Sequence, residues 1–137
     1  MTHFDILSQL IHNKIVAIVR LDSGEELMKV TEALKAGGIS AIEFTLTTPG
    51  ALEMIAQARA AFGDSVLLGA GTVLDSETAR AAILAGAEFI VTPATNFETI
   101  NLCKRYGKPV MPGALTPTEI LNAWEAGADF VKVFPVS

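Results

Sequence analysis

The sequence predicts an α/β fold built from repeated strand–helix units, and three observations support this prediction. Short apolar runs rich in β-branched residues alternate with longer segments of helical periodicity along the 137 residues. Most helical segments end at a glycine, and the connections between segments are short. A helix end, a glycine and a new strand recur around Gly37, Gly86 and Gly127. Units that alternate in this way form parallel sheets with right-handed connections.

The helices are predicted from their start signals and their apolar spacing. Ser23 is followed by Glu25 and Glu26, whose charges favour the first turn of a helix. Residues 116–119 (Thr-Pro-Thr-Glu) combine an N-cap, a proline in the first turn and an acidic residue that completes a capping box. Helices are therefore predicted over residues 2–12 and after starts at Ser23, Pro49, Asp75 or Ser76, Asn96 and Thr116.

Six strands are predicted between these helices. The first, residues 15–20, is a continuous run of mostly β-branched residues, which is typical of a strand buried on both faces. The predicted strands cover residues 15–20, 40–46, 66–73, 89–92, 109–111 and 129–135.

Two architectures accommodate six such units: an open doubly wound sheet and a (β/α)8 barrel. A dinucleotide-binding doubly wound fold would carry G-x-G-x-x-G after the first strand, and residues 20–24 do not match it. The small, even repeats favour the barrel, although a complete one needs about 200 residues or more. We therefore predict one domain over residues 1–137, a (β/α)8 TIM barrel truncated after its sixth strand and lacking strands 7 and 8.

Composition excludes several classes of function. The net charge of −5 without a basic run argues against nucleic acid and anionic membranes as partners. No apolar run is long enough to span a bilayer, and the N-terminus does not resemble a signal peptide, so a cytoplasmic protein is expected. Cys103 is the only cysteine and is predicted to pack in the core. No residue cluster has metal-ligand spacing, and His3 and His12 are expected at the surface.

Lys132 is the first candidate for chemistry. It lies in a predicted strand whose alternation places Phe130, Lys132 and Phe134 on one face. Lysine is rarely set in an apolar wall, and burial disfavours the charged ammonium relative to the free amine, which is a nucleophile. The alternative is a surface lysine on an edge strand.

Glu43 is the second candidate, because the second strand repeats this pattern. Ala41, Glu43 and Thr45 share one face, and the apolar opposite face would meet the helices. An inward carboxylate and an inward lysine on two strands form a candidate catalytic pair. The alternative is a buried salt bridge that only neutralises both charges.

Two further residues end predicted strands, where the active sites of barrels lie. Thr72 follows two glycines, Gly69 and Gly71, which allow close approach of backbone or ligand. Arg20 can bind a carboxylate or phosphate through its planar guanidinium. The alternatives are a local hydrogen-bonding threonine and a solvated arginine at the rim.

Motifs over nearly the whole chain resemble the 2-keto-3-deoxy-6-phosphogluconate (KDPG) aldolase family. Their order and spacing match together, although no single motif is specific. They are Ile15-Val16-Ala17-Ile18-Val19-Arg20, Ile42-Glu43-Phe44-Thr45-Leu46-Thr47, Gly69-Ala70-Gly71-Thr72-Val73, Pro112-Gly113 and Val131-Lys132-Val133-Phe134-Pro135. The resemblance implies a class I aldolase on a (β/α)8 barrel, usually a homotrimer, that needs no metal or organic cofactor.

The resemblance also implies roles for individual residues. Lys132 would be the Schiff-base lysine, Glu43 the general acid/base, and Thr72 a contact to the pyruvate moiety. Some members carry a substrate-binding arginine shortly after the glutamate, where this chain has Thr47. Thr47 is therefore a candidate substrate contact, and Arg20 is a candidate substitute for the arginine.

The expected reaction is cleavage of a 2-keto acid of the KDPG type to pyruvate and glyceraldehyde 3-phosphate. The phosphate site of the family uses loops after strands 7 and 8, so little or no KDPG cleavage is expected from the 137 residues alone. Two alternatives stay open: a non-catalytic barrel fragment or interaction scaffold, and a phosphosugar isomerase or epimerase on the same barrel.

Overall fold

The computed structural model describes all 137 residues and contains one sheet of six parallel strands. Neighbouring strands follow the order of the chain, and a helix connects each strand to the next. The strands are β1 (Ala17–Val19), β2 (Ala41–Thr45), β3 (Leu67–Gly71), β4 (Phe89–Thr92), β5 (Val110–Ala114) and β6 (Lys132–Val133). The predicted alternation of parallel strands and helices is confirmed.

Six helices accompany the strands. They are α1 (His3–Asn13), α2 (Gly24–Ala36), α3 (Ala51–Phe62), α4 (Ser76–Ala85), α5 (Phe97–Arg105) and α6 (Pro117–Glu125), and a 3-10 turn follows α3 at Gly63–Ser65. The predicted caps are confirmed, since the side chains of Ser23, Asp75, Asn96 and Thr116 each accept a hydrogen bond from the backbone N–H three residues later. No helix combines the length and apolar character needed to cross a membrane.

The two faces of the sheet pack differently. The outer face, with Ile42, Leu68 and Ile90, contributes to the larger apolar cluster beneath the helices. On the inner face a smaller cluster combines the first residues of β2, β3 and β4 with Ile6 and Leu10 of α1. Helix α1 therefore covers the end of the inner face at which the strands begin.

The sheet is curled into a half-barrel. Ile18 of β1 and Lys132 of β6 line the same cavity, although they lie on the first and last strands of the sheet. The sheet order ends at β1 and β6, which do not pair with each other. Closure into an eight-stranded barrel stays a prediction.

Three expectations about individual strands were wrong. Strand β1 is not buried on both faces, because it is an edge strand and the Ile18 side chain is 59% exposed beside the cavity. Strand β5 continues through Pro112, and its last two residues pair with β6. Strand β6 has only two residues, because Asp129 and Phe130 donate their backbone N–H groups to Val110 O before the ladder begins.

Helix α1 offers a test of how much the inner cluster stabilises the half-barrel. We expect Ile6→Ala to lower the free energy of unfolding by about 2–5 kcal/mol, because it removes a fully buried side chain between α1 and the strands. The measurement is urea unfolding followed by circular dichroism. Ile11→Ala on the same helix is the matched control, since Ile11 is 62% exposed. Equal decreases in the free energy of unfolding of the two variants would show that the packing of α1 against the strands does not stabilise the half-barrel.

Candidate active site

A cavity of about 300 Å³ opens on the inner face of the half-barrel. Residues from β1, β2, β4, β5 and β6 line it, together with residues that immediately precede β1 and β6. Its wall is apolar apart from Glu43 and Lys132, and the apolar members are Val16, Ile18, Val91, Met111, Phe130 and Val131. The structure therefore brings the predicted carboxyl group and amine together in one low-polarity space.

Glu43 occupies the middle of β2, next to Ile18 of β1 and Gly69 of β3 in the strand register. The residue is only 4% exposed. Burial raises the pKa of its carboxyl group, and the positive charge of Lys132 partly offsets this rise. None of the side-chain hydrogen bonds of the chain involves the Glu43 carboxyl group.

Lys132 is the first residue of β6 and is half-buried. Its Nζ lies 4.8 Å from the centre of the Phe134 ring, within the range of a cation–π interaction. Glu43 and Lys132 are not among the four ion pairs of the chain. The pair is therefore not the closed salt bridge considered as an alternative, and both groups face a space that a small molecule can enter.

The alternation predicted for the last strand holds only in part. Phe130 and Lys132 line the cavity as expected, but Val131 also lines it and Phe134 lines a neighbouring groove. The physical reason is the shortness of β6, since strict alternation of faces requires extended backbone paired on a ladder.

Three glycines on the inner face make room for their neighbours. A Cβ atom built at Gly69 would overlap the Phe89 ring, and one at Gly113 would overlap the Pro93 carbonyl group. A Cβ atom at Gly71 would overlap the carboxyl group of Glu43. Close approach was expected at Gly69 and Gly71, where side chains make it, and backbone makes a further close approach at Gly113.

The other predicted site residues lie at the same edge of the sheet but outside the cavity lining. Thr72 follows β3 directly and is half-buried, whereas Arg20 and Thr47 follow β1 and β2 and are exposed. None of the three lines the cavity. Their contacts to substrate therefore stay predictions.

Two wall residues, Val91 and Met111, were not singled out from the sequence. They occupy positions of β4 and β5 that face the same side as Glu43 and Lys132. The two-residue period of each strand was the signal that could have found them, once the inner face had been assigned from Glu43.

A larger groove of about 540 Å³ lies beyond Phe134, between the ends of β4 and β5 and helix α6. Its one titratable side chain, Glu119, already accepts hydrogen bonds from the backbone N–H groups of Leu115 and Thr116 at the start of α6. This carboxylate is a helix cap, and hydrogen bonding to it lowers its pKa. The smaller cavity is the better candidate site despite its size.

Cys103 and His3, two other side chains considered in the sequence, have packing or hydrogen-bonding partners within the chain. Cys103 is fully buried in the larger apolar cluster, and burial raises the pKa of its thiol to about 12, so its predicted packing role is confirmed. His3 lies on α1, with Nε2 2.8 Å from Asp129 Oδ1. No group of three or more His, Cys, Asp or Glu side chains is arranged to hold a metal ion.

Comparisons with known proteins agree on one family. Residues 6–137 match the family model described as KDPG and KHG aldolase. The chain is 40% identical over 134 residues to a 2-dehydro-3-deoxy-phosphogluconate aldolase of Treponema pallidum, with 98% of the chain and 62% of the relative covered. It is 38% identical to a 2-dehydro-3-deoxy-6-phosphogalactonate aldolase of Escherichia coli, with 90% and 60% covered. The chain thus spans about three fifths of the length of these relatives.

Solved structures show the same likeness. A 4-hydroxy-2-oxoglutarate/2-dehydro-3-deoxyphosphogluconate aldolase from TTHB1 superposes with a TM-score of 0.86 at 37% identity, covering 96% of this chain and 64% of that one. A KDPG aldolase from Legionella pneumophila superposes with a TM-score of 0.82 at 30% identity, covering 88% and 58%. The Legionella enzyme holds pyruvate captured at low pH as a covalent carbinolamine intermediate.

Replacing Glu43 by glutamine tests the cost of burying its charge. Because burial raises the pKa of Glu43, ionisation destabilises the fold, and this penalty is complete only above the folded-state pKa. We expect Glu43→Gln to be more stable than the original chain at pH 7, because the amide has no charge to bury. The difference should shrink as the pH falls through the folded-state pKa and vanish below the ordinary value of 4.5.

The measurement is urea unfolding of both proteins between pH 4 and pH 8. Equal m-values would show that the two proteins expose the same surface on unfolding. A glutamine variant that is less stable at every pH would contradict the assignment of Glu43 as a destabilising buried acid.

Proposed function

We propose, from the premise that the chain belongs to the KDPG and KHG aldolase family, that it carries the reaction centre of a class I aldolase. The observation that supports this most strongly is the shared cavity, in which Glu43 and Lys132 are the only polar side chains. An amine and a carboxyl group in one apolar space are the two functional groups that imine-forming carbonyl chemistry requires.

In the first half of the proposed reaction Lys132 forms an imine. The free amine of Lys132 attacks the C2 ketone of a 2-keto acid, and a proton moves from nitrogen to oxygen to give the carbinolamine. Glu43 donates a proton to the departing hydroxyl group, so water leaves and an iminium ion remains. The raised pKa of Glu43 favours this role, because a carboxyl group that retains its proton at higher pH can act as the acid.

In the second half the iminium ion accepts electrons from the bond that breaks. Glu43, now a carboxylate, removes the proton of the C4 hydroxyl group while the C3–C4 bond breaks, which releases an aldehyde and leaves an enamine on Lys132. Protonation of the enamine at C3 and hydrolysis of the resulting iminium ion release pyruvate and restore the amine. For KDPG the aldehyde is glyceraldehyde 3-phosphate, and no metal or organic cofactor takes part.

The substrate is proposed to enter from the edge of the sheet at which the strands end. Thr72, Arg20 and Thr47 lie at this edge and are proposed to contact the 2-keto acid. The hydroxyl group of Thr72 would bind the pyruvate moiety, and the guanidinium of Arg20 would replace the arginine that some relatives carry at the position of Thr47. Relatives named for phosphogluconate and phosphogalactonate substrates support a phosphorylated sugar acid as the substrate class.

Completion of the barrel is part of the proposal. Since the chain spans about three fifths of its relatives, two further strand–helix units would pair with β1 and β6 and supply the phosphate-binding loops. We also propose a cytoplasmic homotrimer. Its support is the family resemblance and a structural relative, 40% identical, from a protein cage designed by fusing symmetric oligomeric domains.

A second candidate function is a non-catalytic interaction scaffold. The unpaired edges of β1 and β6 favour it, since open strand edges can pair with another polypeptide. This candidate does not require an imine. Chemical trapping of the imine therefore separates it, and a phosphosugar isomerase or epimerase, from the aldolase.

Trapping with pyruvate and borohydride tests the aldolase proposal directly. We expect irreversible addition of one reduced pyruvate unit at Lys132, located by peptide mass spectrometry, because borohydride reduces the imine to a stable secondary amine. Lys132→Met should abolish the addition. Lys35→Met is the control, since Lys35 bonds to Ser65 on the outer side of the molecule. Absence of the adduct from the original chain would refute the proposal.

Proton transfer by Glu43 gives a second, kinetic prediction. We expect Glu43→Gln to lower the rate of exchange of the pyruvate methyl protons with deuterated water by roughly 10²- to 10⁴-fold, the usual contribution of a general acid/base. Proton NMR of pyruvate measures the exchange. Glu53→Gln, an exposed substitution on α3, should exchange at the original rate. An unchanged rate in Glu43→Gln would remove Glu43 from the mechanism.

A further inference from the structure

The Glu43 carboxyl group lies in a recess that exists only because residue 71 is glycine. A Cβ atom at Gly71 would overlap Oε1 of Glu43 and would lie 2.8 Å from its Cδ atom. Gly71 is the last residue of β3, and Thr45, its register partner, lies two residues after Glu43 on β2. The recess is therefore formed by two paired strands and does not depend on a mobile loop.

The other boundary of this recess is also fixed. The Cβ atom of Val91, in the buried core of β4, lies 3.2 Å from the position that a Cβ atom of residue 71 would take. An added methyl group therefore has Val91 on one side and the Glu43 carboxyl group on the other. The valine is held in the inner cluster, so the carboxyl group is the part that would move.

No hydrogen bond or ion pair within the chain fixes the position of the Glu43 carboxyl group, so packing fixes it. It takes part in no ion pair, and the strand backbone supplies it with no hydrogen bond. Glu88 provides the contrast, since its carboxyl group accepts from Leu68 N–H and pairs with Arg59. The position of Glu88 is set by directed bonds, whereas the position of Glu43 is set by packing.

We propose that Gly71 is a positioning residue for the acid–base chemistry of Glu43. This inference rests on the proposed function and adds to it the element that holds the carboxyl group in place. The absence of a side chain at residue 71 keeps the carboxyl group against β3, sheltered by apolar neighbours and facing Lys132 across the cavity. A methyl group there would push the carboxyl group into the open cavity, where it would be better solvated and misplaced for proton transfer.

A double-mutant cycle tests the recess without reference to activity. We expect the shift in urea midpoint caused by Gly71→Ala in the original chain to differ from its shift in Glu43→Ala, in which the recess is empty. Gly69→Ala is the matched control on the same strand and face, because it collides with Phe89 and should be equally harmful with or without Glu43. Equal shifts for Gly71→Ala in both backgrounds would overturn the proposal.

Catalysis supplies the second readout. In folded Gly71→Ala we expect borohydride trapping at Lys132 to persist, while methyl-proton exchange of pyruvate falls roughly 10- to 100-fold, as displacement of a catalytic group predicts. The pH at which exchange is half-maximal should fall, since a solvated carboxyl group loses its proton more readily. An unchanged rate and pH profile would overturn the positioning role. Failure of the original chain to trap pyruvate would instead refute the proposed function, and the stability cycle would still decide whether Gly71 seats Glu43.

Discussion

The arrangement of the whole molecule follows from one constraint: a parallel strand presents its side chains alternately to two faces, and only one face of this sheet is covered by the connecting helices. The outer face is filled by aliphatic side chains in the usual way. The inner face has to be filled by other means, and α1 does this at the end where the strands begin. What remains is an apolar cavity whose only two polar side chains are Glu43 and Lys132.

Comparison of two buried acids supports the catalytic role proposed for Glu43. Burial raises the pKa of both Glu43 and Glu88. Arg59 and the Leu68 N–H group bond to Glu88, which joins α3 to the beginning of the sheet and stabilises the fold. Glu43 has no such bonds, so its burial is a cost that the surrounding apolar core offsets. A group kept at such a cost is expected where chemistry, rather than stability, requires it.

The sequence alone predicted features that are set by residues close together in the chain. It did not predict features that are set by contacts between strands. Helix caps such as Thr116 and the inward orientation of Glu43 follow from spacing alone, and both agree with the structure. The exposure of Ile18 could not be read from its β-branched run, because exposure depends on whether a strand has one neighbour or two. The packing of the Glu43 carboxyl group against Gly71 depends on the register between β2 and β3. Residue types alone do not specify that register.

The distribution of exposed apolar side chains connects the open edge to the proposed aldolase. Ile18 and Val133 on the edge strands are exposed, and so are Phe4 on α1 and Trp124 on α6. Ile18 and Val133 lie on either side of the gap between β1 and β6, where further strand–helix units would pack under the proposed function. The same gap is bounded by Ile18 and Lys132, which line the cavity. Under the proposed function, strands paired with these edges would therefore also cover the cavity that Lys132 and Glu43 line.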